Sequence, residues 1–330
     1  MNKFALHEQV LAKPRASRSE ATARDSVAVL LPCFNEEAAI GKVVADIRRA
    51  LPDAAVYVYD NNSTDDTIRV ARAAGAIVRS ERRRGKGNVV RRMFADIDAD
   101  AYVLMDGDAT YDAESAPTMI SKLVIERLDM VVGCRVHASG DAYRPGHRFG
   151  NAMLTRVVGW LFGKSFADIL SGYRVFSRRF VKSFPALAKG FETETELTVH
   201  ALELRMPVAE VETLYVARPV GSMSKLSTYK DGFRILRLIL ALYKHERPFQ
   251  FFSVIAGVLA SISVILAIPI GLEYIRTGLV PRFPTAILST GLMILASLSL
   301  MAGIILETVT RGRQELKRLA YLQVPFDSGL

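Results

Sequence analysis

The stretch SVAVLLPCFNEEAAIGKVVADIRRAL, residues 26–51, sets the fold class. Its first seven residues form a short apolar run that ends at Pro32, which is typical of a buried parallel strand. The remainder has apolar residues at helical spacing, with Asn35 in the position of an N-cap and acidic residues in the first turn. The stretch therefore predicts one strand followed by one helix.

The same alternation continues along the chain. Further strands are predicted over 54–60, 75–80, 101–106 and 129–135. Helices are predicted after a cap at Ser63 or Thr64, from Gly85 to Asp96 and from Glu114 to Arg127. Strands that alternate with helices indicate an α/β protein with a doubly wound, mostly parallel sheet.

Four loops are expected at one edge of this sheet, because ligands in such folds bind at the carboxyl ends of the strands. The loops read PCFNEE, DNNSTDD, RRRGKGN and DGDAT. Three of them carry carboxylates, and the third carries Lys86 between two glycines. The first strand is not followed by G-x-G-x-x-G, and the chain has no G-x-x-x-x-G-K-[ST], which argues against a dinucleotide site and a P-loop.

Asp106 and Asp108 straddle Gly107 in the fourth loop. Residues two apart in an extended chain point the same way, so both carboxylates can converge on one ion. Mg²⁺ or Mn²⁺ is a suitable ion, since hard cations are held by one or two carboxylates plus substrate phosphates. Two other interpretations remain open from these residues alone. One is a helix-capping turn, and the other is the D-x-D-x-[TV] nucleophile of haloacid-dehalogenase-like phosphatases, which normally follows the first strand.

Two segments in the C-terminal third, about 251–272 and 285–306, carry no charged side chain. Each would be roughly 33 Å long as a helix, enough to cross a membrane, although a buried core hairpin has the same pattern. Basic residues flank the outer ends, which predicts that both chain ends lie in the cytoplasm. The N-terminus lacks an apolar signal-peptide region, so the first large domain is expected in the cytosol as well.

The segment 226–248 has apolar and basic residues at helical spacing, typical of an amphipathic helix in the bilayer interface or packed on the domain. The predicted organisation is then a flexible segment (1–25), a cytosolic domain (26–225), this juxtamembrane part (226–248), two transmembrane helices (249–308) and a basic tail (309–330). Two distant cysteines indicate a reduced compartment. The net charge is +9, but no nucleic-acid motif accompanies it, so no nucleic-acid partner is expected.

Eight short strings occur in a recognisable order along the chain. The first five resemble the family 2 glycosyltransferases of GT-A fold, and they are PCFNE (32–36), DNNSTDDT (60–67), GKG (85–87), DGD (106–108) and GCR (133–135). The last three resemble the polyprenyl-phosphate branch of that family, and they are DILSGYR (168–174), FETETEL (191–197) and RPVGSMSKL (218–226). That branch includes the dolichyl-phosphate mannose and glucose synthases. The resemblance covers about residues 26–230.

The resemblance implies a membrane-bound, inverting enzyme that moves a sugar from a nucleotide diphosphate sugar, with UDP as the expected nucleotide, to a polyprenyl phosphate. Its product would serve cell-envelope glycoconjugates, on the cytoplasmic face of what is expected to be a bacterial inner membrane. The resemblance places the nucleotide base and ribose against Pro32, Asn35, Glu36, Asp60 and Asn61. It places Lys86 near the nucleotide, and it has Asp106 and Asp108 hold Mg²⁺ or Mn²⁺ on the diphosphate.

An acceptor phosphate is largely dianionic at neutral pH, so it needs cations to hold it rather than a strong general base. The candidates are Arg135, Arg174, Arg218, Ser222, Ser224 and Lys225 within the family-like strings, and Arg148 between the fifth and sixth strings. Asp168 matches a family acid near the reacting centre, so Asp108, Asp168 and Arg135 are the predicted catalytic residues. Glu194 and Glu196 are predicted to open a helix near the acceptor.

Two departures from the family leave the donor sugar open. Thr110 stands where mannose-type relatives often have Gln, and DNN replaces the DDG of many relatives. Two other functions remain as alternatives: a membrane-anchored scaffold that binds nucleotide sugars without catalysis, and a D-x-D-x-T phosphatase. A processive polymer synthase usually carries Q-x-x-R-W, which is absent, since the single Trp160 lies in VVGWLFG. The sugar, the lipid length and any homo-oligomer stay undetermined.

Overall fold

A computed structural model of the 330-residue chain describes residues 25–137, 153, 155–160, 166–186, 192–216, 237 and 240–326. Within these ranges seven strands form one sheet in the order β3-β2-β1-β4-β6-β5-β7. The strands are β1 (Asp25–Cys33), β2 (Ala55–Asp60), β3 (Ile77–Ser80), β4 (Ala99–Leu104), β5 (Met130–His137), β6 (Arg174–Ser177) and β7 (Val208–Tyr215).

The sheet is mostly parallel, as predicted. Strand β1 pairs in parallel with β2 and β4, β2 pairs with β3, and β5 pairs with β7. Strand β6 lies between β4 and β5 and is antiparallel to both. This four-residue strand and β7 at the edge of the sheet are the two strands that the alternation of strands and helices did not predict.

Besides helical residues at 155–160 and 240–246, eight helices surround or follow the sheet in the described ranges. They are α1 (Glu37–Ala50), α2 (Thr67–Ala73), α3 (Lys86–Asp96), α4 (Ala116–Ile125), α5 (Arg178–Ser183), α6 (Thr193–Glu203), α7 (Pro248–Thr277) and α8 (Phe283–Leu322). A 3₁₀ turn (Ala113–Ser115) precedes α4. Consecutive side chains of β1 belong to different hydrophobic cores. Leu30 belongs to the core with α3, α5 and α6, and Leu31 belongs to the core with α1 and α4. The sheet is therefore covered on both faces.

Two predicted helix caps are wrong. Helix α1 begins at Glu37 and has Glu36 as its cap residue, while the Asn35 side chain accepts a hydrogen bond from the Thr64 amide (2.8 Å) instead. Helix α2 begins at Thr67 rather than directly after Ser63 or Thr64. In both places the side chains join one loop to another, and this non-local bonding outweighs the local capping preference.

Helices α7 and α8 are long and apolar enough to cross a membrane, and they contain the two predicted spans. They pack as an antiparallel pair through mostly small residues at a seven-residue spacing, which is the spacing of coiled-coil contacts. The buried positions are Ala256, Ser263 and Ile270 on α7, and Ser289, Ala296, Gly303 and Thr310 on α8. The Ser263 hydroxyl donates to the Ser289 carbonyl (2.7 Å).

The C-terminal end of α8 extends past the apolar segment and packs on the sheet domain. The Tyr321 hydroxyl donates to the buried Asp129 carboxylate (2.9 Å). Lys317 forms an ion pair with the buried Glu203 at the end of α6 (2.5 Å). The residues predicted as a basic tail are thus helical as far as Leu322 and hold the apolar hairpin to the domain.

Part of the predicted amphipathic segment is described, namely Arg237 and residues 240–248, with helix at 240–246. The Tyr243 ring contacts Trp160 and Phe251, with centroids 5.5 and 5.8 Å apart. This aromatic cluster lies beside the start of α7. Trp and Tyr are favoured at a membrane interface, because each ring combines an apolar body with a polar atom. The remainder of 226–248 lies outside the described residues.

Candidate functional site

The predicted loops meet at one edge of the sheet, which we call the rim. Cys33 at the end of β1 is in register with Asp60 at the end of β2, and Asp60 is in register with Ser80 at the end of β3. The end of β4 at Leu104 pairs with Leu30 in the same part of β1. Parallel pairing brings the four carboxyl ends together, so the loops after them form one surface.

The first two loops of the rim are tied directly to each other. Ser63 accepts a hydrogen bond from the Asn35 amide (2.9 Å), and Thr67 accepts one from the Glu36 amide (2.8 Å). Asn35 and Asn62 both adopt a left-handed backbone (φ 52° and 66°), which asparagine tolerates better than most residues. These bonds give the predicted nucleotide-binding loops a defined shape before any ligand binds.

Asp60 and Asn61 lie in this platform, and both are buried. Asp60 accepts hydrogen bonds from the amides of Asn62 (3.1 Å) and Ser63 (3.3 Å). Pro32 precedes Cys33 on β1, where it is half-buried and in register with Tyr59. The backbone of the second loop is thus shaped around the Asp60 carboxylate.

The Asn61 carboxamide forms hydrogen bonds with the backbone of the third loop. Its oxygen accepts from the Gly85 amide (2.7 Å), and its nitrogen donates to the carbonyls of Glu81 and Arg83 (both 2.8 Å). Both ends of the amide are thus used inside the protein, where they position the loop that leads to Lys86. Contact of Asn61 with the nucleotide stays a prediction.

Four predicted acids lie within electrostatic range of the thiol of Cys33. Burial raises the pKa of Cys33, and the negative charges of Glu36, Asp106, Asp60 and Asp108 raise it further. Carboxylates from three different loops therefore lie within electrostatic range of one atom. Such a concentration of like charge is stabilised by a cation, which makes the rim a candidate metal site.

Asp106 and Asp108 have different surroundings. Asp108 is buried and accepts hydrogen bonds from the amide (3.2 Å) and hydroxyl (2.6 Å) of Thr110. The Asp106 side chain is 31% exposed, so it can reach a ligand. A Cβ on Gly107, between them, would lie 2.5 Å from the sulfur of Cys33, so only glycine fits there.

The donor chemistry of this pair fits a hard divalent cation. No group of three or more His, Cys, Asp or Glu side chains is arranged to hold a metal ion within the described parts of the chain. Two carboxylates are nevertheless sufficient where substrate phosphates and water complete the coordination, as is usual for Mg²⁺. The residues present therefore suit a cation that binds together with a diphosphate.

Lys86 connects the third loop to the fourth. Its ammonium contacts Asp106 and Glu194, each at 2.5 Å. Burial lowers the pKa of Lys86, but the attraction of the two carboxylates outweighs it and the pKa is raised overall. The side chain is thus a buried cation between two acids. Glu194 and Glu196 lie in the first turn of α6, as predicted, but the contact with Lys86 was not predicted because the two residues are far apart in sequence.

Arg135 and Asp168, two of the predicted catalytic residues, lie together at the rim. The Arg135 guanidinium forms two hydrogen bonds with the Asp168 carboxylate (2.6 and 2.8 Å) and lies over the Tyr215 ring (5.5 Å). Glu210 accepts from the Ala167 amide (2.7 Å) and so supports the loop that carries Asp168. Arg135 is 15% exposed, so its fork is oriented at the surface of the rim rather than buried beneath it.

Arg174 has a different role from the predicted one. Its side chain is fully buried and donates to the carbonyls of Ile169 (2.5 Å) and Ser171 (2.9 Å) and to the Thr198 hydroxyl (2.8 Å). Burial lowers its pKa to about 10, which leaves it charged at neutral pH. The prediction that Arg174 contacts the acceptor phosphate is wrong, because its donors are used to shape the loop that carries Asp168.

Tyr111 and Gly172 are site residues that the sequence did not identify. The Tyr111 hydroxyl accepts a hydrogen bond from the Gly172 amide (2.9 Å), and its ring contacts Tyr215 (5.2 Å). A Cβ on Gly172 would lie 2.6 Å from Asp106 Oδ2. The position of Tyr111 directly after DGDAT, and of Gly172 inside DILSGYR, is the signal that could have found them. The other acceptor candidates, Arg148, Arg218, Ser222, Ser224 and Lys225, lie outside the described residues.

Comparison with known proteins agrees with this geometry. The model of the family described as "Glycosyl transferase family 2" matches residues 28–183. Glycosyltransferase AglJ of Haloferax volcanii is 32% identical over 306 residues, which are 91% of this chain and 99% of that protein. Dolichyl-phosphate hexose transferase of the same organism is 29% identical over 223 residues, 68% of this chain and 96% of that protein.

Solved structures show the same fold. Glucosyl-3-phosphoglycerate synthase from Mycobacterium tuberculosis, in complex with Mn²⁺ and UDP-glucose, is 26% identical with a TM-score of 0.52. The match covers 67% of this chain and 78% of that chain. The sheet is accordingly the GT-A-type core that the sequence predicted, followed by two candidate membrane spans. The chain belongs to glycosyl transferase family 2.

Proposed function

We propose that this protein transfers a sugar, with inversion, from a nucleotide diphosphate sugar to a polyprenyl phosphate at a membrane surface. One observation carries the proposal: the Asp106–Asp108 pair and the Arg135–Asp168 pair share one rim. Tyr111 links the two pairs, since its hydroxyl accepts from the Gly172 amide beside Asp106 and its ring contacts Tyr215, over which Arg135 lies. A carboxylate pair suited to a cation–diphosphate complex thus adjoins an oriented guanidinium suited to a phosphate.

The donor would lie over the first two loops and the carboxylate pair. Pro32, Asn35, Glu36 and Asp60 are the proposed contacts of the nucleotide base and ribose, with Asn61 acting through the backbone of the third loop. Asp106 and Asp108 would hold Mg²⁺ or Mn²⁺, which when bound neutralises the leaving diphosphate. The similarity to a structure that binds Mn²⁺ and UDP-glucose supports UDP as the nucleotide.

The acceptor phosphate would act as its own nucleophile. It is largely dianionic at neutral pH, so a general base is not required. An oxygen of that phosphate attacks the anomeric carbon from the face opposite the diphosphate. The new carbon–oxygen bond forms as the bond to the diphosphate breaks, and the nucleoside diphosphate leaves with the electron pair.

Arg135 is the described residue best placed to hold the incoming phosphate. Its bidentate pair with Asp168 and its contact with Tyr215 fix the plane of the guanidinium, so little order has to be created on binding. Asp168 is proposed as the residue that keeps Arg135 in this orientation. Arg148, Arg218, Ser222, Ser224 and Lys225 remain proposed contacts of the same phosphate on the strength of the family resemblance.

The lipid nature of the acceptor is supported by two features. The chain carries two candidate membrane spans, and α8 holds them to the sheet domain through Tyr321 and Lys317. A relative named dolichyl-phosphate hexose transferase aligns over most of its own length. We propose that the catalytic domain lies on the cytoplasmic face, because basic residues flank the outer ends of the two spans.

The test is a transfer assay with membranes that contain the full-length protein. Radiolabelled nucleotide sugars, polyprenyl phosphate and Mg²⁺ or Mn²⁺ are supplied, and label is followed into the lipid fraction. Transfer is expected with one donor of the panel. Binding of a nucleotide sugar without transfer from any donor would favour a membrane-anchored scaffold instead.

Asp108→Asn tests the metal assignment within this assay. The change keeps the shape of the side chain but removes its charge, so transfer is expected to fall by about 100-fold or more, as for loss of a group that stabilises transition-state charge. Asp98→Asn is the matched control, since Asp98 is half-exposed and pairs with Arg178 away from the rim. Full transfer by Asp108→Asn would remove the metal assignment.

A further inference from the structure

Glu194 shares one lysine with a proposed metal ligand. The Lys86 ammonium lies 2.5 Å from Asp106 Oδ1 and 2.5 Å from Glu194 Oε1. The side chains of Lys86 and Glu194 are 11% and 7% exposed, whereas that of Asp106 is 31% exposed. Lys86 is therefore held between an acid that can reach a ligand and an acid that cannot.

The buried carboxylate is incompletely satisfied. Glu194 Oε2 is buried and has no hydrogen-bond partner among the described residues, so within them Glu194 depends on the ammonium at its other oxygen. Arg174 is close enough to be influenced by the Glu194 charge, but it donates to Ile169, Ser171 and Thr198. Lys86 is the cation in direct contact with Glu194, and a buried carboxylate requires such a contact.

This arrangement has a consequence for cation binding at Asp106. A divalent cation on Asp106 would compete with the Lys86 ammonium for the same carboxylate, and the two positive charges would repel each other. With Glu194 present, Lys86 keeps a counter-ion when Asp106 turns to the metal. Without that charge, Lys86 has Asp106 as its one contacting acid and holds it more tightly.

We infer that Glu194 is a positioning residue of the donor site, which retains Lys86 so that Asp106 can bind a divalent cation. The inference rests on the proposed function, because it takes Asp106 as a metal ligand. Glu194 acts through Lys86 and does not itself ligate the ion. Lys86, held on Glu194, then remains beside the cation as a second positive charge facing the diphosphate.

The test measures binding of Mn²⁺ rather than turnover. Mn²⁺ is titrated into the full-length protein in detergent, with and without UDP, and the free ion is followed by electron paramagnetic resonance. Glu194→Gln is expected to weaken Mn²⁺ binding by about 10- to 100-fold, the usual cost of losing a partner that supports a metal ligand. Glu192→Gln removes the same charge two residues earlier on a half-exposed side chain and is expected to bind as the wild type does.

The double variant Lys86→Met/Glu194→Gln shows whether Glu194 acts through Lys86 or directly on the ion. It removes the competing ammonium together with its counter-ion, so Mn²⁺ affinity is expected to return to within about threefold of the wild type, or to exceed it. The pair of changes also leaves no unpaired buried charge, and thermal unfolding checks that the variant folds.

Three results would overturn the inference. If Glu194→Gln binds Mn²⁺ as the wild type does, Glu194 has no such role. If both variants stay equally weak, Glu194 acts directly on the ion. If the wild type does not bind Mn²⁺ even with UDP, or if Asp106→Asn binds it unchanged, the metal assignment in the proposed function fails first, and the inference fails with it.

Discussion

The two halves of the sheet present opposite chemistry at the same rim. The half built from β1 to β4 places Glu36, Asp60, Asp106 and Asp108 around Cys33, with Lys86 as the cation paired to Asp106. The half built from β5 to β7 places Arg135 at the rim, paired with Asp168. Under the proposed function, the first half would hold the cation and the diphosphate, and the second would hold the acceptor phosphate.

The halves also differ in how their loops are held. In the first half, side chains of neighbouring loops bond to each other's backbone, as Ser63 and Thr67 do with Asn35 and Glu36. In the second half, a buried charged side chain, Arg174, supports the loop from beneath. The proposed donor loops are thus held to each other by polar side chains, whereas the loop of Asp168 is held by buried Arg174 together with Glu210 on β7.

At the rim, Gly172 lies against side chains of the first half, and among the changes that test this comparison Gly172→Ala is expected to have the largest effect. The added Cβ would lie 2.6 Å from Asp106 Oδ2 and 3.2 Å from Lys86 Nζ, so both side chains must shift. A misplacement of about 1 Å at reacting groups can cost about 100-fold in rate, and a loss of that size is expected in the transfer assay. Gly257→Ala on α7 is the control, since a Cβ there meets no atom within 4 Å. Wild-type transfer by Gly172→Ala would mean that the halves do not act together.

Arg135→Lys is expected to weaken binding of the acceptor alone. Lysine keeps the charge but loses the fork that pairs with Asp168, so the KM for polyprenyl phosphate is expected to rise about tenfold while the KM for the donor stays unchanged. Arg179→Lys is the matched control, because Arg179 makes the same kind of bidentate pair with Asp129 away from the rim. An equal rise in both KM values for Arg135→Lys would contradict the division of roles.

Asn61→Ala is expected to raise the KM for the donor alone, by a smaller factor than Arg135→Lys raises the KM for the acceptor. The change removes the three hydrogen bonds that hold the loop before Lys86. The Glu81 and Arg83 carbonyls and the Gly85 amide lose these bonds and are then partly hydrated by water. The free energy of unfolding is expected to fall by about 1–3 kcal/mol, and the KM for the donor to rise several-fold. Thermal unfolding and steady-state kinetics measure the two effects. An unchanged donor KM in a destabilised protein would show that Asn61 is purely structural.

Tyr321→Phe is expected to have the smallest effect and to leave the kinetics of transfer unchanged. It removes one hydrogen bond to Asp129, worth about 0.5–1.5 kcal/mol, and keeps the ring that lies under Arg179. The unfolding temperature in detergent is therefore expected to fall by a few degrees, with kcat and both KM values unchanged. A large loss of transfer would instead indicate that the contact of α8 with the domain controls the rim.

The sequence by itself determined the strand and helix alternation, the rim loops of the first half and the two apolar spans. These features follow from local periodicity and from the fact that parallel strands end at one edge, so Asp60, Asp106 and Asp108 could be placed without coordinates. The pairing of Arg135 with Asp168, the burial of Arg174 and the contact of Lys86 with Glu194 were decided by the tertiary structure. Each depends on residues distant in the chain, and on strand β6 entering the sheet antiparallel between β4 and β5. Sequence spacing sets which side chains share a loop, whereas partner choice and burial are set by packing across the sheet.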